Sequence, residues 1–291
     1  MLLLGLSLPA CDEDSSNKKG AKDPDDLRQA MRDFVQGLSA WAKDNQSGFL
    51  ILPQNGQELF TDSGEGGGAA RTDYLATLDG TGREDLFYGY DKDDRATPAD
   101  VTEHLTGLLD VGEAHGVQAL VIDYVSTASR VADSVARNDA KGYASFQAPD
   151  RDLTLIPDDA LTPHDVSTGG IASLADAQNL LFYLNPQQDS KSEFLAGAAA
   201  TNYDVLVIDA YFFEKVLSAS DVASLKTKAN GGQRLVISYL SIGEAEDYRF
   251  YWDPDWNDDP PDWLDEANPD WPGNYKVRYW DPDWQDIIFG N

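Results

Sequence analysis

The chain has 291 residues, 42% hydrophobic and 11% aromatic, which is enough apolar surface for one large core and too much for a disordered segment. Acidic residues outnumber basic ones 51 to 22, a formal charge of −29, and a surface this negative repels phosphate backbones and excludes nucleic acid as a partner. The acid is spread along the whole chain, the pattern of a solvated surface more than of one patch for a cationic ligand.

The chain opens on an apolar run over 1–10 (MLLLGLSLPA) followed by its single cysteine, Cys11. A lone cysteine excludes a disulfide within the chain and makes a cysteine-ligated zinc untenable. Leu8-Pro9-Ala10-Cys11 resembles the lipobox of bacterial lipoproteins, in which the cysteine is lipidated and becomes the new N-terminus. Residues 11–26, rich in Asp, Ser and Lys, read as a polar tether. The expectation is a signal peptide over 1–10, lipidation at Cys11, membrane contact through that lipid alone, and one exported domain over 27–291. The apolar run is too short to span a bilayer.

From 27 onward helical and strand patterns alternate. A helix over 27–43 carries Met31, Phe34, Val35, Leu38 and Trp41 at close to helical spacing. Short apolar runs then read as buried strands: FLIL (49–52), ALVIDY (119–124), YASFQ (143–147), NLLFYL (179–184), VLVIDA (205–210), RLVISYL (234–240) and YKVRYW (275–280). Helices are expected over 101–115, stopped by Gly116, and over 220–229, with Ser218 or Ser220 as the cap. Strands apolar on both faces that alternate with helices specify a parallel sheet. Seven of them, with no Gly-rich phosphate loop, fit an α/β TIM (β/α)8-type barrel: either it lacks its last strand, which is the expectation, or the N-terminal region supplies an irregular eighth.

Working residues of such a barrel sit at the C-terminal ends of strands. Those positions hold Gln54 and Asn55, Asp123, Asp209, the stretch Glu244, Glu246, Asp247 and Arg249, and Asp281. Each Asp alone reads best as a helix cap or a salt-bridge partner, but several carboxylates on one rim suit glycoside hydrolysis, where one protonates the leaving oxygen and another attacks or activates water. Arg249 would hold a neighbouring carboxylate ionised. Six of the seven tryptophans, Trp252, Trp256, Trp263, Trp271, Trp280 and Trp284, fall in one Asp- and Pro-rich segment that could stack sugar rings or pack a core. His104, His115 and His164 have no metal-ligand spacing, nucleotide and HExxH motifs are missing, and Asp91, Asp93 and Asp94 lack the glycine of a calcium loop.

The stretch SYLSIGEAEDYR (238–249), with DVLVID (204–209) before it and NYKVRYWD (274–281) after it, resembles glycoside hydrolase family 114. The LPQNGQE (52–58) and GREDLFY (82–88) stretches are similar to the same group. The resemblance implies an extracellular TIM-barrel glycosidase acting on α-1,4-linked galactosamine polymers, an endo-α-1,4-polygalactosaminidase that uses two acids and no metal or other cofactor. It places Asp247 first among the catalytic carboxylates, with Glu244 and Glu246 as rivals. Asp209, Asp123, Tyr239, Arg249, Gln54, Asn55, Trp280 and Asp281 are expected to bind substrate. Relatives carry a further acid on a strand of the type GFDGVYLD after the YKVRYWD region, which these 291 residues do not contain. The expectation is therefore an inactive chain, with a non-catalytic carbohydrate-binding surface protein as the alternative.

Overall fold

The computed structural model describes residues 2–5, 23–188, 190–213 and 215–290. Helix α1 (Pro24–Asn45) starts ahead of its apolar pattern because Asp23 caps it, accepting from the Asp25 amide at 2.9 Å, and a proline fits the first turn. It buries Met31, Phe34, Val35, Leu38 and Ala42 along one face, each worth about 1–3 kcal/mol of transfer free energy, while Trp41 points outward. The strands are β1 (Leu2–Gly5), β2 (Ile51–Gln54), β3 (Gly80–Glu84), β4 (Gln118–Tyr124), β5 (Ala144–Ala148), β6 (Leu180–Tyr183), β7 (Val205–Asp209), the short pair β8 (Tyr211–Phe212) and β9 (Lys215–Val216), β10 (Leu235–Ser241), β11 (Glu244–Glu246), β12 (Leu264–Ala267) and β13 (Asn274–Val277). Between them lie α2 (Thr72–Leu75), α3 (Ala99–Glu113), α4 (Ala128–Asp139), α5 (Lys191–Ala199) and α6 (Ala219–Leu225), with α7 (Pro282–Gln285) after β13. Ser218 and Asp221 form a reciprocal capping box on α6.

Eight strands form one sheet in the order β5-β4-β3-β2-β1-β10-β7-β6, and every neighbouring pair is parallel. The outer strands meet at a parallel bridge, Ser145 opposite Asn179, with the Ser145 amide donating to the Gln178 carbonyl at 3.2 Å. The fold is mixed α/β around a parallel sheet, and residues from β4, β5, β6, β7 and β10 share the largest apolar cluster.

Six expected strands are found, and three assignments change. YKVRYW is not in the parallel sheet: β13 lies between β11 and β12 in a separate antiparallel sheet, with Glu244 opposite Lys276 and Glu246 opposite Asn274. Its residues alternate in character, which suits a strand with one wet face. Strand β3 (GTGRE) escapes any hydrophobic pattern because its glycines serve close approach. A Cβ on Gly80 would stand 2.7 Å from Leu174 and one on Gly82 would stand 1.7 Å from Gln54 Oε1. The expected gap is filled as well, since Leu2–Gly5 pairs in parallel with both β2 and β10. The remainder of the expected leader, Cys11 and the tether up to residue 22 lie outside the described residues. Among the described residues no helix is long and apolar enough to cross a membrane.

Candidate active site

The C-terminal ends of β2, β3, β4, β7 and β10, with the loops after them, line a cavity of about 460 Å³. Four carboxylates reach it, Glu84, Asp209, Glu244 and Glu246, against two guanidinium groups, Arg151 and Arg249. Its volume is in the range of sites that enclose a small ligand, and its position is where parallel barrels carry chemistry.

Glu84 ends β3, and the residues after β2 hold it. Asn55 and Gly56 both adopt left-handed backbone, φ 62° and 71°, which Asn and Gly tolerate best. The turn brings the Asn55 amide to Glu84, with Nδ2 donating to Oε2 at 2.7 Å and Oδ1 accepting from the Glu84 backbone at 3.1 Å. The Tyr124 hydroxyl donates to Oε1 at 2.5 Å, and the Arg151 guanidinium lies 3.9 Å from the centre of the Tyr124 ring. Arg151 is itself fixed by Asp85 at 2.8 and 3.2 Å and by Asp93 at 2.9 Å. Burial raises the Asp85 pKa, and the hydrogen bond from Arg151 opposes the rise.

Glu244 and Glu246 come from β11, whose pairing with β13 supplies their partners. Asn268 donates to Glu244 Oε1 at 2.7 Å and Asn274 to Oε2 at 2.9 Å. The Asn268 oxygen already accepts from the Asp270 amide at 3.0 Å, so its amide nitrogen must face Glu244. Glu246 accepts from Arg249 Nε at 2.5 Å and from the Tyr248 hydroxyl at 2.6 Å. Arg249 extends its other arm to Asp209 Oδ1 at 2.7 Å. Burial pulls the Arg249 pKa down, but the hydrogen bond to Asp209 and the charge of Glu246 more than reverse this, so it stays a cation. The Tyr239 phenol sits among these groups; burial first, then the charges of Glu246, Glu84 and Glu244, push its pKa far above the usual range.

The structure thus brings together Gln54, Asn55, Asp209, Tyr239, Glu244, Glu246 and Arg249 of the expected set. It leaves out four. Asp247 is exposed on the outer side of β11, its amide bonded to the Gly273 carbonyl at 2.9 Å. Asp281 caps α7. Trp280 packs on Tyr279 and the cluster beneath α1. Asp123 turns away from the cavity and is fully buried, accepting from the Phe87 and Tyr88 amides, Ser134 and Asn138.

Asp123 supports a first prediction. Burial raises its pKa, opposed by the hydrogen bond from Ser134, those from the Phe87 and Tyr88 amides and that from Asn138. A carboxyl whose folded pKa is raised contributes stability that is complete below its unfolded value and lost as pH rises, here from about pH 4 upward. Asp123→Asn keeps the acceptor for the two amides and presents its NH2 to the Ser134 hydroxyl, which can turn to accept, and to Asn138, whose amide must flip to offer its oxygen, so it is expected to fold, to retain function and to remove that slope. Thermal melts across pH with an assay alongside check this, and loss of function in a well-folded Asp123→Asn would restore Asp123 to the site.

Of the six clustered tryptophans, five pack on one another or on the cluster beneath α1. Trp252–Trp256, Trp256–Trp263 and Trp263–Trp284 have ring centres 5.2, 5.0 and 4.9 Å apart. They provide each other with the apolar surface that their Asp- and Pro-rich neighbours lack. Trp271, 47% exposed, lines the cavity. Among the described residues, one group with metal-ligand potential brings its ligand atoms within 4.8 Å of one another, Asp139, His164 and Asp165, and none of the three lines the cavity. Asp94 instead holds the start of α4, accepting from the Ser126 and Thr127 amides.

Glu84, Tyr124, Arg151, Asn268 and Asn274 were not marked as site residues by sequence; the signal that could have found Glu84 was the Gly-x-Gly run of β3, which makes room for Gln54. Gly82→Ala places a methyl on the Gln54 amide, which must swing away. Because that amide is the end of a flexible side chain, the expected result is impaired function with a stability loss of about 1 kcal/mol or less, read from kinetics and melting on the same sample.

Residues 177–290 match the family described as glycoside-hydrolase family GH114. An uncharacterized protein of Methanocaldococcus jannaschii is 44% identical over 91 residues, 31% of this chain and 26% of that protein. An uncharacterized protein of Thermotoga maritima is 53% identical over 53 residues, 18% of this chain and 16% of its own, and one of Deinococcus radiodurans 42% over 75 residues, 26% and 23%. The chain spans about a quarter or less of the length of these curated relatives. The matched stretch contains β7, β10, β11 and β13, and with them Asp209, Glu244, Glu246 and Arg249 of the cavity. Through residues 177–290, less than half of its length, the chain is similar to glycoside hydrolase family 114.

Proposed function

We propose that the protein is a glycoside hydrolase with a (β/α)8-type barrel, acting on α-1,4-linked galactosamine polysaccharide through Glu84 and Glu244. The observation that carries this reading is the division of the four cavity carboxylates. Asp209 and Glu246 are tied to Arg249, whereas Glu84 and Glu244 are held by uncharged side chains. Both oxygens of Glu244 face amide donors, which suits a carboxylate that attacks the anomeric carbon or activates water. Glu84 faces one amide donor and one hydroxyl, and a hydroxyl can turn to accept, so Glu84 Oε1 can carry the proton that goes to the leaving oxygen. Asp209 and Glu246 would keep the floor negative as positive charge develops on the sugar ring. Two more carboxylates than guanidinium groups favour a cationic, de-N-acetylated amino sugar.

This reading draws both acids from the chain itself, where the family resemblance implied one from a strand outside it. The test is release of reducing ends from de-N-acetylated galactosamine oligomers, with the fully acetylated polymer as comparison. Turnover supports the pair; binding without turnover returns the second acid to a segment outside these residues and favours the carbohydrate-binding alternative. Export and lipid attachment at Cys11 are inferred from the sequence pattern. A cleaved leader would remove Leu2–Gly5 from between β2 and β10, and the intact mass of the membrane fraction would show which form exists.

A further inference from the structure

Beside the cavity the chain leaves aromatic rings in water. Phe250 is 70% exposed and Tyr248 53% exposed. Phe250 lies almost parallel to Tyr211, with ring centres 6.4 Å apart and an interplanar angle of 10°. Tyr211 directly follows the turn from Asp209, whose Oδ1 accepts from the Tyr211 amide at 2.9 Å. The Arg249 guanidinium sits 5.8 Å from the Tyr211 ring and 5.2 Å from that of Tyr248. The cation that binds two cavity carboxylates is therefore also the support of the aromatic row. On the same hairpin Phe213, 70% exposed, holds φ 51°, a left-handed backbone that bulky residues rarely adopt. A bulky ring kept in that conformation, pointing at solvent, is the sort of local cost that accompanies binding. Exposed aromatic surface continuous with a polar cavity suits a ligand with alternating apolar and hydroxylated faces, and a sugar ring has both.

We propose that Tyr211 and Phe250, continued by Tyr248, form a stacking platform for sugar units of the polymer beyond those enclosed in the cavity. The proposal rests on the carbohydrate reading of the site and adds a second binding region to it. Phe250 also meets Tyr251 edge-on at 5.3 Å, and the Tyr251 hydroxyl accepts from the Glu246 amide at 3.0 Å, which ties the platform to β11. A chain bound there runs outward from the Arg249 side of the cavity mouth, while Trp271 flanks the same cavity.

The test is a calorimetric titration of the full chain with short and long de-N-acetylated galactosamine oligomers, using the wild type, Phe250→Ala and Phe250→Trp. The wild type is expected to gain affinity as the oligomer lengthens. In Phe250→Ala the gain should shrink by about three- to tenfold, the size of one lost aromatic stacking contact, and Phe250→Trp should restore it. The exposed ring can be removed without opening the core, and a melting curve on each variant confirms this. An identical length dependence in all three proteins overturns the platform and leaves the cavity reading standing. Absence of binding to any oligomer overturns the carbohydrate reading, and the platform with it.

Discussion

Glu84→Gln is expected to lower turnover of galactosamine oligomers by about 10³-fold, the scale of a lost general acid, while the protein stays folded and still binds. The amide matches the carboxyl in shape, and its oxygen can keep the Asn55 hydrogen bond while its nitrogen donates to the Tyr124 hydroxyl. What it cannot do is deliver a proton. Tyr124→Phe separates positioning from proton transfer. It leaves Glu84 its carboxyl but removes the partner that can switch between donor and acceptor, so it should reduce turnover less and shift the alkaline limb of the pH–rate profile, where a general acid loses its proton. Glu244→Gln is the second arm: its oxygen can accept from one of Asn268 and Asn274, but its NH2 would confront the amide donor of the other, so a comparable loss of turnover should come with some loss of stability. Equal activity in Glu84→Gln and wild type would remove Glu84 from the chemistry.

The parallel layout was legible because its strands are apolar on both faces, as in ALVIDY, VLVIDA and RLVISYL, and the helices between them stop at Gly or start at Ser. Where hydrophobicity did not carry the structural signal, the reading failed. Strand β3 is built on glycines whose reasons are neighbours distant in sequence, Leu174 for Gly80 and the Gln54 amide, 28 residues away, for Gly82. The strand YKVRYW was apolar enough to pass for a buried one, but its alternating polar residues belong to a half-exposed antiparallel ribbon. Several site residues were recognisable by strand-end position, since Gln54 and Asp209 each lie there. Which way a strand-end side chain turns was not. Asp123 and Asp209 both follow a Val-Ile pair, yet one anchors α4 from behind the sheet and the other meets Arg249 in the cavity. A shift of one residue reverses the face, and the SIGEAEDYR stretch shows it: Glu244 and Glu246 point inward, and Asp247, beyond the end of β11, points out.

Arg249→Met is expected to be the most damaging single change in the site, for both stability and function. The guanidinium is buried, with a side-chain exposure of 3%, and satisfies Glu246, at 4%, and Asp209, at 18%. Such a pair contributes little net stability while intact, because desolvation offsets most of the attraction. Removing one partner is different: two carboxylates then face each other, partly out of water, with no countercharge. The cost on record for that situation is about 3–5 kcal/mol, which in a chain of this size lowers the melting temperature by on the order of 10 °C. Arg249→Lys should recover little, because one ammonium cannot reproduce the Nε and Nη1 arms that reach Glu246 and Asp209 at once. The origin of the loss can be isolated by neutralising the partners. Adding Asp209→Asn and Glu246→Gln to Arg249→Met should recover much of the stability without recovering activity, since the countercharge problem vanishes but the negative floor of the cavity vanishes with it. If the triple variant melts no higher than Arg249→Met alone, the loss comes from packing around the guanidinium stem, and Arg249 holds the loop after β11 more than it holds the charges.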